Sequence, residues 1–321
     1  MSSTVNSPSP QSAVTVCIKN LSKTFGKQQS LSQINLKIGP VGITGLLGRN
    51  AAGKTTLLKT IAGLLVPSEG SVQLWGKAPI NNLTILQQLI YSHNQVPYSR
   101  GLKLRHILQD YLALYPRFDD GFAVRLLDDF SLDPHASYAS LSQGEKSSFN
   151  YTAALATRAP LTMLDEPTVG MDVAARKHLA QTLIEEQNNH PRRFIIASHQ
   201  IADFEKLFDE AVILDRGETI LHSSTDDIRS NTYRITGNPK TLKTIAIDKN
   251  ILFSDYTNPR AQIIAVLNSG SLASQASTQA SVQDLAGQAA ALQLKISAVS
   301  LEDYYLYLTQ QTATSTQEDQ S

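Results

Sequence analysis

The 321-residue sequence predicts an α/β protein with a largely parallel main sheet, and three observations carry that reading. Residues 42–47, Gly-Ile-Thr-Gly-Leu-Leu, form a short apolar run that reads as a buried strand, and residues 56–65 place apolar side chains at helical spacing. Between them stands Gly48-Arg49-Asn50-Ala51-Ala52-Gly53-Lys54-Thr55, a full match to the pattern G-x-x-x-x-G-K-[ST]. Downstream, strand-like and helix-like runs alternate from 140 to 214, the alternation that builds a parallel sheet.

Strand, glycine-rich turn and helix together give the pattern a mechanism. Backbone N–H groups of the turn and the positive end of the helix hold phosphate oxygens. Lys54 reaches the terminal phosphates of a nucleotide and the Thr55 hydroxyl can ligate Mg²⁺, with Thr56 beside it. An ordinary Gly-Lys loop is the competing reading, and the next feature argues against it. Residues 161–168, Leu-Thr-Met-Leu-Asp-Glu-Pro-Thr, read as a short apolar strand ending in two adjacent carboxylates. Alternate strand residues face opposite sides, so Asp165 can serve Mg²⁺ while Glu166 faces the γ-phosphate and orients or deprotonates the attacking water. Pro167 then stops strand pairing.

Between these segments, Ser142 opens a helical stretch that runs to residue 156, and Glu145 three residues on completes a capping box. The same helix start, with a serine hydroxyl and Gly144, is a second anion-facing surface. One nucleotide does not easily bridge both surfaces within a monomer.

In this order the motifs resemble those of ATP-binding subunits of ABC transporters, over roughly residues 14–228. Residues 48–55 resemble Walker A, Leu141-Ser142-Gln143-Gly144-Glu145 the signature LSGGQ, and residues 161–166 Walker B. Val169-Gly170-Met171-Asp172 occupies the D-loop position, and the apolar run 194–198 leads into His199 at the switch position. The resemblance implies a P-loop NTPase fold of the ABC type: a mixed sheet core, an antiparallel β part and a helical subdomain at about 83–150. It implies ATP and Mg²⁺ as ligands, with Glu166, His199 and Lys54 catalytic and Asp165 holding the metal through a water. It also implies Ser142 and Gly144 acting on the nucleotide of a second copy, with Asp172 coupling the two sites. The expected partners are a separately encoded membrane-spanning permease and a second ATPase subunit, identical or not, with no nucleic acid. The expected location is the cytoplasmic face of the plasma membrane, held peripherally through the permease.

Several positions depart from the family pattern. Ala51 stands at a usual glycine, Gln143 and Glu145 replace the signature glycine and glutamine, and Val169 and Met171 replace the commoner serine and leucine. Phe25 sits where a tyrosine usually stacks on adenine, keeping the ring and losing the hydroxyl. None of these removes a charged catalytic group. The Q-loop glutamine, a further metal and nucleotide contact, is assigned to Gln95, because residues 102–108 resemble the stretch after this glutamine in the family; Asn94 and His93 stay open.

The remaining elements come in order along the chain. Residues 14–25 and 30–38 predict a strand pair and 71–76 a further strand into a turn. Residues 83–140 read as mainly helical, including 102–115 and 121–130, and 211–220 read as a closing hairpin. Beyond 229, strands at 233–236, 251–256, 261–267 and 294–299 and helices at 239–246, 281–292 and 301–308 give the order of a ferredoxin-like α+β module over 230–310. The Ser/Ala/Gln-rich stretch 269–280 reads as a flexible link, and residues 1–12 and 311–321 as disordered tails, leaving 13–228 for the ATPase domain.

Lys+Arg and Asp+Glu balance at 28 each, so no global field favours nucleic acid or anionic lipid. Cys17 is the single cysteine, which excludes a disulfide framework within the chain and suits a reducing compartment. No apolar run approaches the roughly 20 residues that cross a bilayer. Three function classes fit: a transporter motor subunit, a soluble ABC ATPase uncoupled from transport, and a non-catalytic nucleotide-binding regulator. The presence of Lys54, Asp165, Glu166 and His199 argues against the third. The stretch between Lys54 and Leu141 carries no sustained heptads, which argues against the DNA-repair type of soluble ATPase. Residues 299–305, Val-Ser-Leu-Glu-Asp-Tyr-Tyr, resemble the C-terminal end of ATPase subunits from drug and antibiotic exporters, and imply export.

Overall fold

The structure, a computed structural model, describes residues 15–94, 96–245, 250–255, 261–266 and 291–318. They fall into two compact units that divide between His222 and Ser223. The expected tail 1–12, the link 269–280, most of the helix at 281–292 and Gln95 lie outside the described residues.

In the first unit, β1 (Val16–Phe25), β2 (Gln28–Ile38) and β4 (Glu69–Leu74) form an antiparallel sheet in the order β2-β1-β4. The main sheet has the order β5-β6-β7-β3-β8-β9, built from β5 (Leu89–His93), β6 (Leu161–Asp165), β7 (Arg193–Ser198), β3 (Gly42–Leu47), β8 (Glu210–Asp215) and β9 (Glu218–Ser224). The pairs β5–β6, β6–β7, β7–β3 and β3–β8 are parallel. Strands β3, β6 and β7 are buried along their whole length, which is why they read as unbroken apolar runs rather than alternating ones. Helix α1 (Lys54–Ile61) turns Leu57, Leu58 and Ile61 into a core that Val16, Ile18 and Leu21 of β1 and Met163 and Ile195 of the main sheet share. That common core fixes the phosphate loop between the two sheets.

Helices α2 (Leu83–Leu86), α3 (Leu104–Leu114) and α4 (Asp120–Asp129) fill the expected helical region. Asp119 caps α4 by accepting a hydrogen bond from the Phe122 amide at 2.8 Å. Helices α5 (Gln143–Ala156) and α6 (Val173–Asn189) flank β6 in sequence, so the capping box at Ser142, the paired carboxylates and Asp172 come from one αβα series.

In the second unit, α7 (Thr225–Asn231) leads into β10 (Thr232–Gly237), α8 (Pro239–Ile245), β11 (Asn250–Asp255), β12 (Ala261–Val266) and β13 (Lys295–Ala298). The sheet order is β11-β12-β10-β13 with every pair antiparallel, the order a ferredoxin-like module has. One expectation needs correcting: the last helix, α9, spans Leu301–Glu318 and runs through the boundary set at 311. Its polar end, Gln-Thr-Ala-Thr-Ser-Thr-Gln-Glu, looks like a tail by composition but holds no Gly or Pro to stop a helix.

Candidate functional site

β3 ends at Leu47 and α1 begins at Lys54, so residues 48–53 form the turn at the tip of a central parallel strand. Gly53 has φ 104°, and a side chain there would meet Ser30 O and Leu31 Cδ2 at 2.8 Å, so only glycine fits. Lys54 is buried to 7% exposure, and its ammonium donates to Gly48 O at 2.6 Å and to Arg49 O at 3.4 Å. A buried cation requires such partners. The loop therefore curls around the lysine whose charge it presents.

Ala51 adopts φ 65°, the left-handed conformation that its usual glycine would hold without strain. The residue is exposed, so a methyl there gains no packing. Ala51→Gly is expected to raise stability by a few tenths to about 1 kcal/mol, read in denaturant melts. A loss of stability would show that the loop is not strained at this position.

At the tip of β6 the two carboxylates part as the strand geometry requires. Asp165 is buried, and its Oδ2 accepts from the Tyr91 hydroxyl at 2.8 Å while its buried Oδ1 has no hydrogen-bond partner among the described residues. Burial and the neighbouring Asp165 charge push the Tyr91 hydroxyl well above the ordinary phenol range, so it stays protonated and donates. Glu166 turns the other way. Its Oε1 lies 3.5 Å from Lys54 Nζ, and its Oε2 lies 2.8 Å from His199 Nδ1 and 3.3 Å from the His199 amide. Glu166 has φ 50°, a left-handed conformation seldom adopted away from glycine. Loop lysine, strand-tip glutamate and the histidine after β7 thus form one contiguous group.

The signature segment realises its capping box. Ser142 Oγ accepts from the Glu145 amide at 3.3 Å and the Ser142 amide donates to Glu145 Oε2 at 2.7 Å. Hydrogen bonding from Ser142 holds the Glu145 carboxyl below the ordinary carboxylate range. Gly144 serves a close approach, but to the D-loop: a Cβ there would stand 2.4 Å from Gly170 O. Ser142, Gly144 and Asp172 line one open cleft of about 600 Å³ with Asp129 and His178, and Asp172 caps α6 through the Ala175 amide at 2.8 Å. This cleft is separate from the Lys54–Glu166–His199 group, since none of those three lines it.

Phe25, the last residue of β1, is 48% exposed, with Lys23 Nζ 5.0 Å from its ring centroid. An exposed ring is free to stack. Phe25→Ala is expected to raise the ATP dissociation constant several-fold, an aromatic stacking loss of about 1 kcal/mol, while the thermal midpoint without nucleotide hardly moves. A large drop in that midpoint would instead mark Phe25 as a core residue.

Residues 31–169 match the family model described as ABC transporter. The fold is that of a P-loop ABC ATPase. The ABC transporter ATP-binding protein YtrB of Bacillus subtilis is 27% identical over 218 residues, which cover 68% of this chain and 75% of that protein. The probable sulfate/thiosulfate import ATP-binding protein CysA of Chlorella vulgaris is 28% identical over 228 residues, covering 67% of this chain and 93% of that protein. Among solved structures, an ATP-binding subunit of an ABC transporter superposes with a TM-score of 0.60 at 27% identity, covering 67% of this chain and 91% of that one. The ATPase domain binds and hydrolyses ATP.

Gln95 lies outside the described residues, so of the three Q-loop candidates only His93 and Asn94 can be located. His93 stacks on Tyr91, ring centroids 5.1 Å apart. Burial, and then Lys59, hold the His93 imidazole below its ordinary range. Asn94 touches the backbone of Glu166. Sequence reasoning did not single out Tyr91 or Ser147 of α5, which also reach the site. Their role depends on β5 lying parallel beside β6, a pairing that no local motif announces.

Proposed function

We propose that this ATPase domain powers transport through a separate membrane-spanning permease, in the export direction, as one of a pair of copies that share two nucleotides. The observation that carries the reading is the Glu166 carboxylate held between Lys54 and His199 beside the phosphate loop. The turn amides of 48–53 and Lys54 bind the β- and γ-phosphates. Glu166 takes or directs the proton of the attacking water, and His199 orients Glu166 and senses the γ-phosphate. Thr55 and, through a water, Asp165 would hold Mg²⁺, with Gln95 as a further ligand, and the ion would supply positive charge against the phosphates. The buried, unpartnered Oδ1 of Asp165 suits that use.

Ser142 and Gly144 of a second copy face the same γ-phosphate, and Asp172 links the two sites. Both half-sites are complete in this chain, which favours two identical copies. Docking to a permease is supported by the helical region, where Leu112, Leu114 and Val124 are exposed at 48–60%. No helix among the described residues is long and apolar enough to cross a membrane, in keeping with a spanning partner and a peripheral place at the cytoplasmic face. The direction rests on residues 299–305, while relatives such as the CysA protein are named for import.

Lys54→Ala tests the phosphate cradle directly. It is expected to weaken ATP binding by at least about tenfold, the loss of one charge-assisted contact, in titration calorimetry. Binding at wild-type affinity would contradict the cradle. Co-purification with a polytopic membrane protein after mild detergent extraction tests the coupling, and its failure in native membranes would favour an ATPase uncoupled from transport.

A further inference from the structure

Asn94 is the first residue after β5, and the register that sets His93 opposite Asp165 brings it beside Glu166. Its Nδ2 donates to the Glu166 carbonyl at 2.6 Å and its Oδ1 accepts from Ser147 Oγ at 2.9 Å. Ser147, 1% exposed on α5, has one hydroxyl proton, which it shares between Asn94 Oδ1 and the Val169 carbonyl, 2.6 Å away. One amide therefore joins three segments: the tip of β6, the helix that starts at Ser142, and the loop that carries Gly170 and Asp172. The orientation of the amide is fixed by its neighbours, because a backbone carbonyl can only accept.

The backbone of Glu166 needs such support. A residue at φ 50° is held there only when its surroundings over-determine it. The Glu166 amide donates to Ala197 O at 2.8 Å, which ties one side of the peptide to β7. Asn94 ties the other side, through the carbonyl. Together they fix the direction in which the Glu166 side chain leaves the backbone, and so its reach to Lys54 and His199. Asp at this position would turn a second acceptor toward a carbonyl oxygen. Ala would leave the carbonyl without this donor.

We infer that Asn94 is a positioning residue for hydrolysis: it locks the strained Glu166 backbone into the conformation that aims the carboxylate, and through Ser147 it ties that aim to the signature helix and the D-loop. This rests on Glu166 being the group that activates water. A movement of α5 against β6 would then reach the carboxylate through two hydrogen bonds, without passing through the nucleotide.

The test compares Asn94→Ala, Asn94→Asp, Ser147→Ala and the double variant Asn94→Ala/Ser147→Ala in steady-state MgATP hydrolysis, with Glu166→Gln alongside. Misaiming a reacting group costs about ten- to a hundredfold, and a loss of aim lowers kcat while leaving KM alone. Asn94→Ala and Asn94→Asp are therefore expected to lower kcat at least about tenfold with KM within about twofold of wild type. Ser147→Ala should lower kcat less, and the double variant should be no slower than Asn94→Ala, because both act through one amide. Asn94→Asp keeps the size of the side chain, so it reads the lost donor even if the alanine variant folds poorly. Wild-type kcat in Asn94→Asp, or a rise in KM with kcat unchanged, would overturn the inference. If Asn94→Asp turns over normally and Glu166→Gln does not, the positioning role fails and the general base stands; if Glu166→Gln is itself active, the underlying reading fails.

Discussion

Glu166→Gln is expected to bind MgATP with near wild-type affinity and to hydrolyse it about 10² to 10⁴ times more slowly, the range for a lost general base. That factor corresponds to about 3–5 kcal/mol of transition-state stabilisation. Glutamine has the shape of glutamate and the same backbone preference, so the left-handed turn at this position is not further strained. Its amide can still meet the His199 backbone N–H, which lies 3.3 Å from Oε2. Lys54 keeps its 2.6 Å bond to Gly48 O and stays in the loop. The substitution removes the negative charge and the proton-accepting oxygen between Lys54 and His199. Calorimetric ATP binding beside steady-state turnover separates the two effects, and near-normal turnover would defeat the assignment of Glu166.

Ser142→Arg is expected to lower turnover to a similar degree by a different route. Ser142 is exposed at the N-cap of α5 and lines the cleft shared with Gly144 and Asp172. A long side chain there would obstruct the approach of a second copy without touching Lys54, Glu166 or His199, so ATP binding to the monomer should persist. Loss of the cap costs about 1 kcal/mol, which lowers the thermal midpoint of a domain of this size by about 2–4 °C. Ser142→Ala loses the same cap and introduces no obstruction. Turnover that falls far further in Ser142→Arg than in Ser142→Ala would locate the effect at the interface; equal turnover in the two would show that the cleft faces no partner during hydrolysis.

The parts of the site that were legible in the sequence are those that lie within one βα unit. Strand β3, the loop and Lys54 are contiguous, and Asp165 and Glu166 are adjacent, so strand alternation alone separates their directions. The capping box at Ser142 and Glu145 is equally local. The hydrogen bond from Tyr91 to Asp165 and the bridge from Asn94 through Ser147 to Val169 are not local: they exist because β5 pairs with β6 across some seventy residues of chain. A single sequence shows that both strands are apolar but not that they are neighbours. For the same reason Gly144 could be read as a residue needing close approach while its neighbour, Gly170 of the D-loop, could not. In the second unit the order of the four strands was legible, and their sheet order is the ferredoxin-like one, whereas the end of α9 was not, because Thr, Ser and Gln are compatible with helix and coil alike.

The central claim is that two copies of this chain share their nucleotides, the group around Glu166 in one facing Ser142 and Gly144 in the other. Hydrolysis removes the phosphate that joins them, and trapping ATP should therefore trap the pair. The most direct measurement is light scattering of Glu166→Gln with and without saturating MgATP. The expected result is a particle of 35.0 kDa without nucleotide and one of twice that mass with it, with the doubling abolished by Ser142→Arg. A Glu166→Gln protein that binds MgATP and keeps the monomer mass would contradict the shared site.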